Sequence, residues 1–296
     1  MFLRTAHAAT LFAVASVSCV TVDPEPEVSP DAPVELVAPP VRLAGVDLGQ
    51  LVATASETVA TGPLDTQAIE RVARLARPAV VSLYLERDVQ ASVRLLPIAI
   101  PGLGIPVTLP GTALGSGFVI HPAGYAITNN HVVRGASRIR AMTSEGVALG
   151  AEVLARDPVY DLALLRLFGA PGPFPVLPMG DSDLAAVGSF AIAVGNPLGL
   201  GHTVSFGIVS QTGRHLMGVP PEEGREIDFI QMDTPINPGS SGGPLVTLTG
   251  AWIGVNTATF DGAQNIGFAV PSRQVVEFLQ EAASLAASNP PSAPSP

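Results

Sequence analysis

The chain has 296 residues, 47% of them hydrophobic, enough for one domain of about 200 residues or two packed subdomains to bury a full core. Its formal net charge is −10 and every basic residue is Arg, so nucleic acid and anionic membrane surfaces are poor partners. Thirty glycines and 29 prolines against 5% aromatics suit an all-β protein rich in turns, and the single cysteine, Cys19, excludes an internal disulfide.

Residues 1–19 read as an export signal. Arg4 supplies a short charged start, the apolar run from Ala8 to Val17 is too short for a transmembrane helix, and small residues lead to Cys19. The segment resembles a bacterial lipoprotein signal, which implies lipidation of Cys19 as the new N-terminus; an ordinary cleaved signal is the other reading. Residues 20–63, with Asp23-Pro24-Glu25-Pro26-Glu27 and Pro39-Pro40, form an acidic Pro-rich linker with too little apolar material for a core.

A domain over 64–288 follows. Ala68, Ile69, Val72, Ala73 and Leu75 form the apolar stripe of a helix that Pro78 ends. Ala79 to Leu85 reads as a strand. Residues 88–113 read as a Pro- and Gly-rich loop insertion, unusually apolar for one exposed to solvent. Short β-prone runs then recur at 116–120, 125–128, 138–142, 147–154 and 162–167, and again at 190–194, 203–210, 229–232, 244–248, 251–257 and 266–270. Two such clusters, over about 78–170 and 185–270, predict an all-β fold of two barrels. Pro271-Ser272 opens a final helix over 272–287 with Val275, Val276, Phe278 and Leu279 on its apolar face, and 289–296 is a disordered Pro/Ser tail.

Three segments carry chemistry. Ser241 sits in Gly239-Ser240-Ser241-Gly242-Gly243-Pro244. A serine hydroxyl becomes a nucleophile only when a base takes its proton. Gly239 allows a tight turn in which its own N–H and that of Ser241 point at one spot, an oxyanion hole. His131, in Thr128-Asn129-Asn130-His131-Val132-Val133, is the candidate base; His7, His121, His202 and His215 have weaker contexts. Asp161, the candidate orienting carboxylate, precedes the apolar run Leu162-Ala163-Leu164-Leu165, so it is expected to enter a buried strand where a carboxylate needs a partner, and His131 would be one. Asp157, before Pro158, is its nearest competitor and reads as a turn residue. The order His, Asp, Ser is that of chymotrypsin-like serine proteases.

These segments resemble the protease domain of the HtrA/Deg serine proteases. So do Gly115-Ser116-Gly117-Phe118-Val119-Ile120, Gly195-Asn196-Pro197-Leu198-Gly199-Leu200, Thr203 to Ser210, Ile236-Asn237-Pro238 before the nucleophile turn, and Ile266 to Pro271, all in family order over roughly 66–285. The resemblance implies a chymotrypsin-like double β-barrel with short N- and C-terminal helices and a catalytic triad of His131, Asp161 and Ser241. It further implies a primary pocket lined by Ile236 and a residue near Phe260, and hence cleavage of unfolded or damaged proteins after Val, Ala, Leu or Ile. A homotrimer joined through the N-terminal part of the domain, the helix at 64–77 and the following strand, and a periplasmic or cell-envelope location belong to the same expectation. No cofactor or metal is expected, and the chain is expected to lack the PDZ domain that commonly follows. The alternative function is a silent chaperone-like or scaffold protein of the same fold that binds exposed apolar segments.

Overall fold

The computed structural model describes residues 21–22, 35–36, 67–93, 105–196, 202–215, 227–259 and 265–288. The predicted signal at 1–19 with Cys19, most of the 20–63 linker, Phe260 and the tail lie outside them. In chain order the elements are β1 (Thr21–Val22), β2 (Glu35–Leu36), α1 (Ala68–Ala76), β3 (Val80–Val93), β4 (Ile105–His121), β5 (Tyr125–Thr128), α2 (Asn130–Val133), β6 (Ala136–Thr143), β7 (Ala148–Asp157) and β8 (Leu162–Phe168). Then come β9 (Phe190–Gly195), β10 (Thr203–Arg214), β11 (Phe229–Met232), β12 (Pro244–Val246), β13 (Trp252–Thr259), β14 (Gly267–Pro271) and α3 (Ser272–Ser288).

The chain forms two units, of which the smaller takes 1–26 and 88–110. Its described pairing sets β1 antiparallel to the far end of β3, Thr21 opposite Ser92 and Val22 opposite Ala91. The larger unit contains both barrels. In the first, strands follow the order β3-β4-β5-β8-β7-β6, and β6 returns to pair with β3, which closes the ring. The second closes as β10-β11-β14-β13-β12-β9. The fold is the double β-barrel of the chymotrypsin-like class.

Strand periodicity explains why two barrels share one core. On β8, Ala163, Leu165 and Leu167 belong to the first barrel's own cluster, with Leu83, Val119 and Ile139. The alternate residues Leu162 and Leu164 face a second cluster containing Ile192, Val194, Trp252 and Phe268 of the other barrel and Phe278 of α3. A strand buried on both faces reads as an unbroken apolar run, and Leu162-Ala163-Leu164-Leu165 is one. On β9 the same alternation sends Ala191 and Ala193 into the second barrel and Ile192 and Val194 into the shared core. Phe118 meets Trp252 edge-on at 5.1 Å between ring centres in that core.

Three expectations differ from what is observed. The described parts of the 88–113 segment are strand: β3 continues to Val93 and β4 begins at Ile105, where Val107, Thr108 and Leu109 supply β-prone positions between Pro106 and Pro110. Within the 20–63 segment, Glu35 and Leu36 pair with Arg156 and Ala155 of β7. On α1 the buried face is Ala68, Val72 and Ala76, whereas Leu75 is 51% exposed. Finally, the hydroxyl of Ser272 donates to the carbonyl of Gly180, and the N–H of Arg273 in the first turn of α3 is taken instead by the hydroxyl of Ser182.

Candidate active site

β5 ends at Thr128, and the chain turns through Asn129 into the single helical turn α2 that carries His131. This turn wraps Asp161. The Asp161 carbonyl accepts from the Asn129 side-chain amide at 2.9 Å and from the Asn130 N–H at 3.1 Å. Its carboxylate accepts the His131 N–H at 2.8 Å and contacts His131 Nδ1 at 2.6 Å. A carboxylate can only accept, so Nδ1 carries the proton and Nε2 is the basic nitrogen. Asp161 adopts φ +54°, a left-handed conformation that costs about 1–3 kcal/mol for a non-glycine residue and persists where neighbours over-determine it. The bonds from the Asn129-Asn130-His131 turn do so here.

Thr257 on β13 joins this pair to the nucleophile segment. Its hydroxyl donates at 2.7 Å to the same Asp161 oxygen that meets His131 Nδ1, and its carbonyl accepts the Ser241 hydroxyl at 3.0 Å. His131, Asp161 and Ser241, distant in sequence, thus converge around one threonine. His131 is exposed and Ser241 half-buried, so both are open to an incoming chain. Asp157 plays a different part: fully buried, its carboxylate accepts the N–H groups of Val159 and Tyr160 and so shapes the turn into Asp161.

The nucleophile turn is fixed from beneath. Gly242 N–H donates to Asn256 carbonyl and Asn256 N–H to Gly243 carbonyl, each at 2.8 Å, while the Asn256 side chain reaches the Pro244 carbonyl at 3.1 Å. Gly242 has φ +85°, and any Cβ there would overlap the Ser116 carbonyl and the Thr128 hydroxyl, so only glycine fits. Gly239 takes φ +96°. Among the described residues no acceptor takes the N–H of Gly239 or of Ser241. Two unspent backbone donors beside a serine hydroxyl are what stabilisation of an oxyanion requires. Ile236 is half-buried and lies against Gly267: a side chain on that glycine would begin 3.2 Å from Ile236, with Met232 alongside. Phe260, the second expected pocket residue, lies outside the described residues. Thr257 and Asn256 escape sequence reasoning because nothing in Val255-Asn256-Thr257-Ala258 marks them apart from an ordinary strand.

A family model described as trypsin-like peptidase domain matches residues 115–255. Periplasmic serine endoprotease DegP of Salmonella typhimurium is 47% identical over 173 residues, which are 57% of this chain and 35% of that protein. A putative serine protease HhoA of Synechocystis is 44% identical over 162 residues, 54% of this chain and 40% of its own. Among solved structures, the HtrA-type protease AlgW with a decapeptide superposes with TM-score 0.60 at 35% identity, covering 74% of this chain and 68% of that one. The chain belongs to the HtrA/Deg family. A serine endoprotease from Yersinia pestis gives TM-score 0.57 at 32% identity, covering 73% of this chain and 66% of that one. This HtrA/Deg chain spans 40% or less of the length of the two curated relatives named above.

Proposed function

We propose that this protein is an exported serine endopeptidase that cleaves unfolded or damaged proteins after small aliphatic residues, through an acyl-enzyme on Ser241. The observation that carries the reading is the convergence of His131, Asp161 and Ser241 around Thr257. In the reaction the Ser241 hydroxyl turns from the Thr257 carbonyl to His131 Nε2, which takes its proton as the oxygen attacks the substrate carbonyl. Asp161 holds the ring and stabilises the imidazolium. The Gly239 and Ser241 N–H groups bind the oxyanion, each worth about 2.7–4 kcal/mol of barrier in comparable sites. His131 then protonates the leaving amine, and a water molecule, activated by the same nitrogen, hydrolyses the ester.

Ile236 against Gly267 supports a small apolar primary pocket. Residues that fill such a pocket are buried in folded proteins, so unfolded chains are the natural substrates. The test is β-casein digestion by the purified protein beside Ser241→Ala. We expect cleavage by the first only, with new C-termini dominated by Val, Ala, Leu and Ile over Arg by at least tenfold, ~1.4 kcal/mol. Cleavage by the Ser241→Ala protein would remove the assignment, and binding of casein without cleavage by either would favour the chaperone-like alternative.

The relatives' periplasmic location supports export here too. We place the mature chain at the cell envelope on a lipid attached to Cys19, where two or more acyl chains hold stably and one alone is marginal. Palmitate labelling that disappears in Cys19→Ser is the expected outcome; an unlabelled N-terminus downstream of residue 19 would establish an ordinary signal.

A further inference from the structure

Ser116 belongs to β4 of the first barrel and is fully buried, yet its polar groups serve the nucleophile turn of the second. Its hydroxyl donates to the Gly239 carbonyl at 2.6 Å and accepts the Asn196 N–H at 2.9 Å. Its N–H donates to the Ser241 carbonyl at 2.9 Å, and its carbonyl accepts the Thr128 hydroxyl at 2.7 Å. Asn196 is held in turn, its side-chain amide donating to the Ser82 hydroxyl at 2.8 Å. One buried residue therefore grips the carbonyls of both residues whose N–H groups have no acceptor among the described residues.

The grip matters most at Gly239. With φ +96° and no Cβ, its flanking peptide planes turn at little steric cost. A backbone donor aids a transition state only if it is aimed before charge develops. A hydroxyl fixed from the other side by the Asn196 N–H, and itself holding the Gly239 carbonyl, restricts rotation about that glycine. We propose that the Ser116 hydroxyl is a positioning group that presets the oxyanion hole by fixing the peptide plane that follows Gly239, against which the preceding plane, carrying the Gly239 N–H, is set. The inference rests on the serine-endopeptidase reading and adds to it a residue of the first barrel that acts through Gly239 and touches no reacting atom.

The test uses full-length protein with Ser116→Ala and Ser116→Cys, beside wild type and Ser241→Ala. Cysteine fills nearly the same space with a weak donor, so it separates packing from hydrogen bonding. A larger residue is unsuitable because Gly195 approaches closely: a Cβ there would stand 3.1 Å from the Ser116 hydroxyl. The readouts are kcat and KM on a fluorogenic peptide with Val before the cleaved bond, the affinity of a peptide boronate of the same sequence, and the melting temperature. The boronate adduct on Ser241 carries a tetrahedral oxygen where the oxyanion forms.

We expect kcat to fall about 10- to 100-fold in both variants, somewhat less than for outright loss of an oxyanion donor, with KM within about twofold. Boronate affinity should fall in step with kcat, and the Cys variant should melt near wild type. Full activity in either folded variant would overturn the proposal, as would a fall in kcat with unchanged boronate affinity. If Ser116→Ala fails to fold, the Cys variant decides alone. Wild type that cleaves by Ser241 while the Ser116 variants match it refutes this inference only; wild type that cleaves nothing refutes the endopeptidase reading and this inference with it.

Discussion

The Asp161 carboxylate accepts from the His131 backbone, the His131 ring and the Thr257 hydroxyl, so its role in the proposed reaction separates into parts that substitution can remove one at a time. Asp161→Asn keeps the shape but offers an amide where Nδ1–H needs an acceptor, which favours the wrong tautomer; we expect kcat to drop about 10⁴-fold. Thr257→Val keeps the carbonyl that holds Ser241 and removes only the hydroxyl. A hydrogen bond to a charged acceptor is worth about 1.5–3 kcal/mol, so kcat should fall roughly 10- to 100-fold with KM unchanged. Kinetics on one peptide substrate check both, and a Thr257→Val enzyme at full kcat would show that bond to be idle. His131, Asp161, Ser241 and Gly239 are legible in the sequence as candidates because each stands in a short segment whose composition the proposed chemistry demands. Thr257 and Ser116 are not, since a hydroxyl in a β-strand has no local signature and gains its meaning only from what the closed barrels bring to it. Ser116 lies within Gly115-Ser116-Gly117, one of the family-like stretches, yet its neighbours in sequence give it no visible task.

At the level of strands and helices, apolar runs bounded by turn residues locate the barrel strands, and β5 and β11 match their expected limits. Punctuation is the less dependable signal. Pro106 and Pro110 argue against strand in 88–113, yet proline is tolerated where its missing N–H is not needed. Spacing puts Leu75 on the buried stripe of α1, but the residue that faces inward is one position on, at Ala76. One joint between elements carries a pH dependence. His202, just before β10, places Nε2 2.9 Å from the Val80 carbonyl at the start of β3, so Nε2 donates. Burial, and secondarily the nearby Arg77 charge, hold its pKa below the ordinary histidine value, while the Val80 bond opposes that shift. Between the lowered folded pKa and the unfolded value of about 6.5, the unfolded chain binds the extra proton. Stability contributed by this site is therefore present above that window and lost as pH falls through it. His202→Gln keeps a donor for Val80 without titrating. Melting temperatures from pH 7.5 down to 5 should fall more steeply for wild type than for the variant; parallel profiles would mean that His202 does not govern the joint.

Among the described residues of the whole molecule, several large apolar side chains are exposed. Phe190 on β9 and Phe206 on β10 are 41% and 39% exposed, with ring centres 5.2 Å apart. Leu184 at 81% and Val187 at 59% are more exposed still, and Leu75 projects from α1. Single exposed apolar side chains are ordinary, but an exposed pair of adjoining aromatics is the nucleus of an interaction patch. The homotrimer that the family resemblance implies, which we propose for this chain, would give them an occupant, a second copy, and add the aromatic pair to the N-terminal segment as a place where copies meet. A closed ring of three uses one patch against a different patch, so a charge placed in either one breaks every contact at once. Light scattering on the detergent-solubilised mature chain should give three times the monomer protein mass. Phe190→Asp should reduce it to one, and Leu75→Glu should do the same if α1 lies in the interface. Because both positions are already solvent-exposed in the single chain, neither change removes core packing, and the melting temperature of the separated monomer should depend on the assembly lost and not on the residue that was altered. A wild-type protein that scatters as a monomer at micromolar concentration would refute the trimer, and a Phe190→Asp protein that stays trimeric would confine the interface to the N-terminal segment.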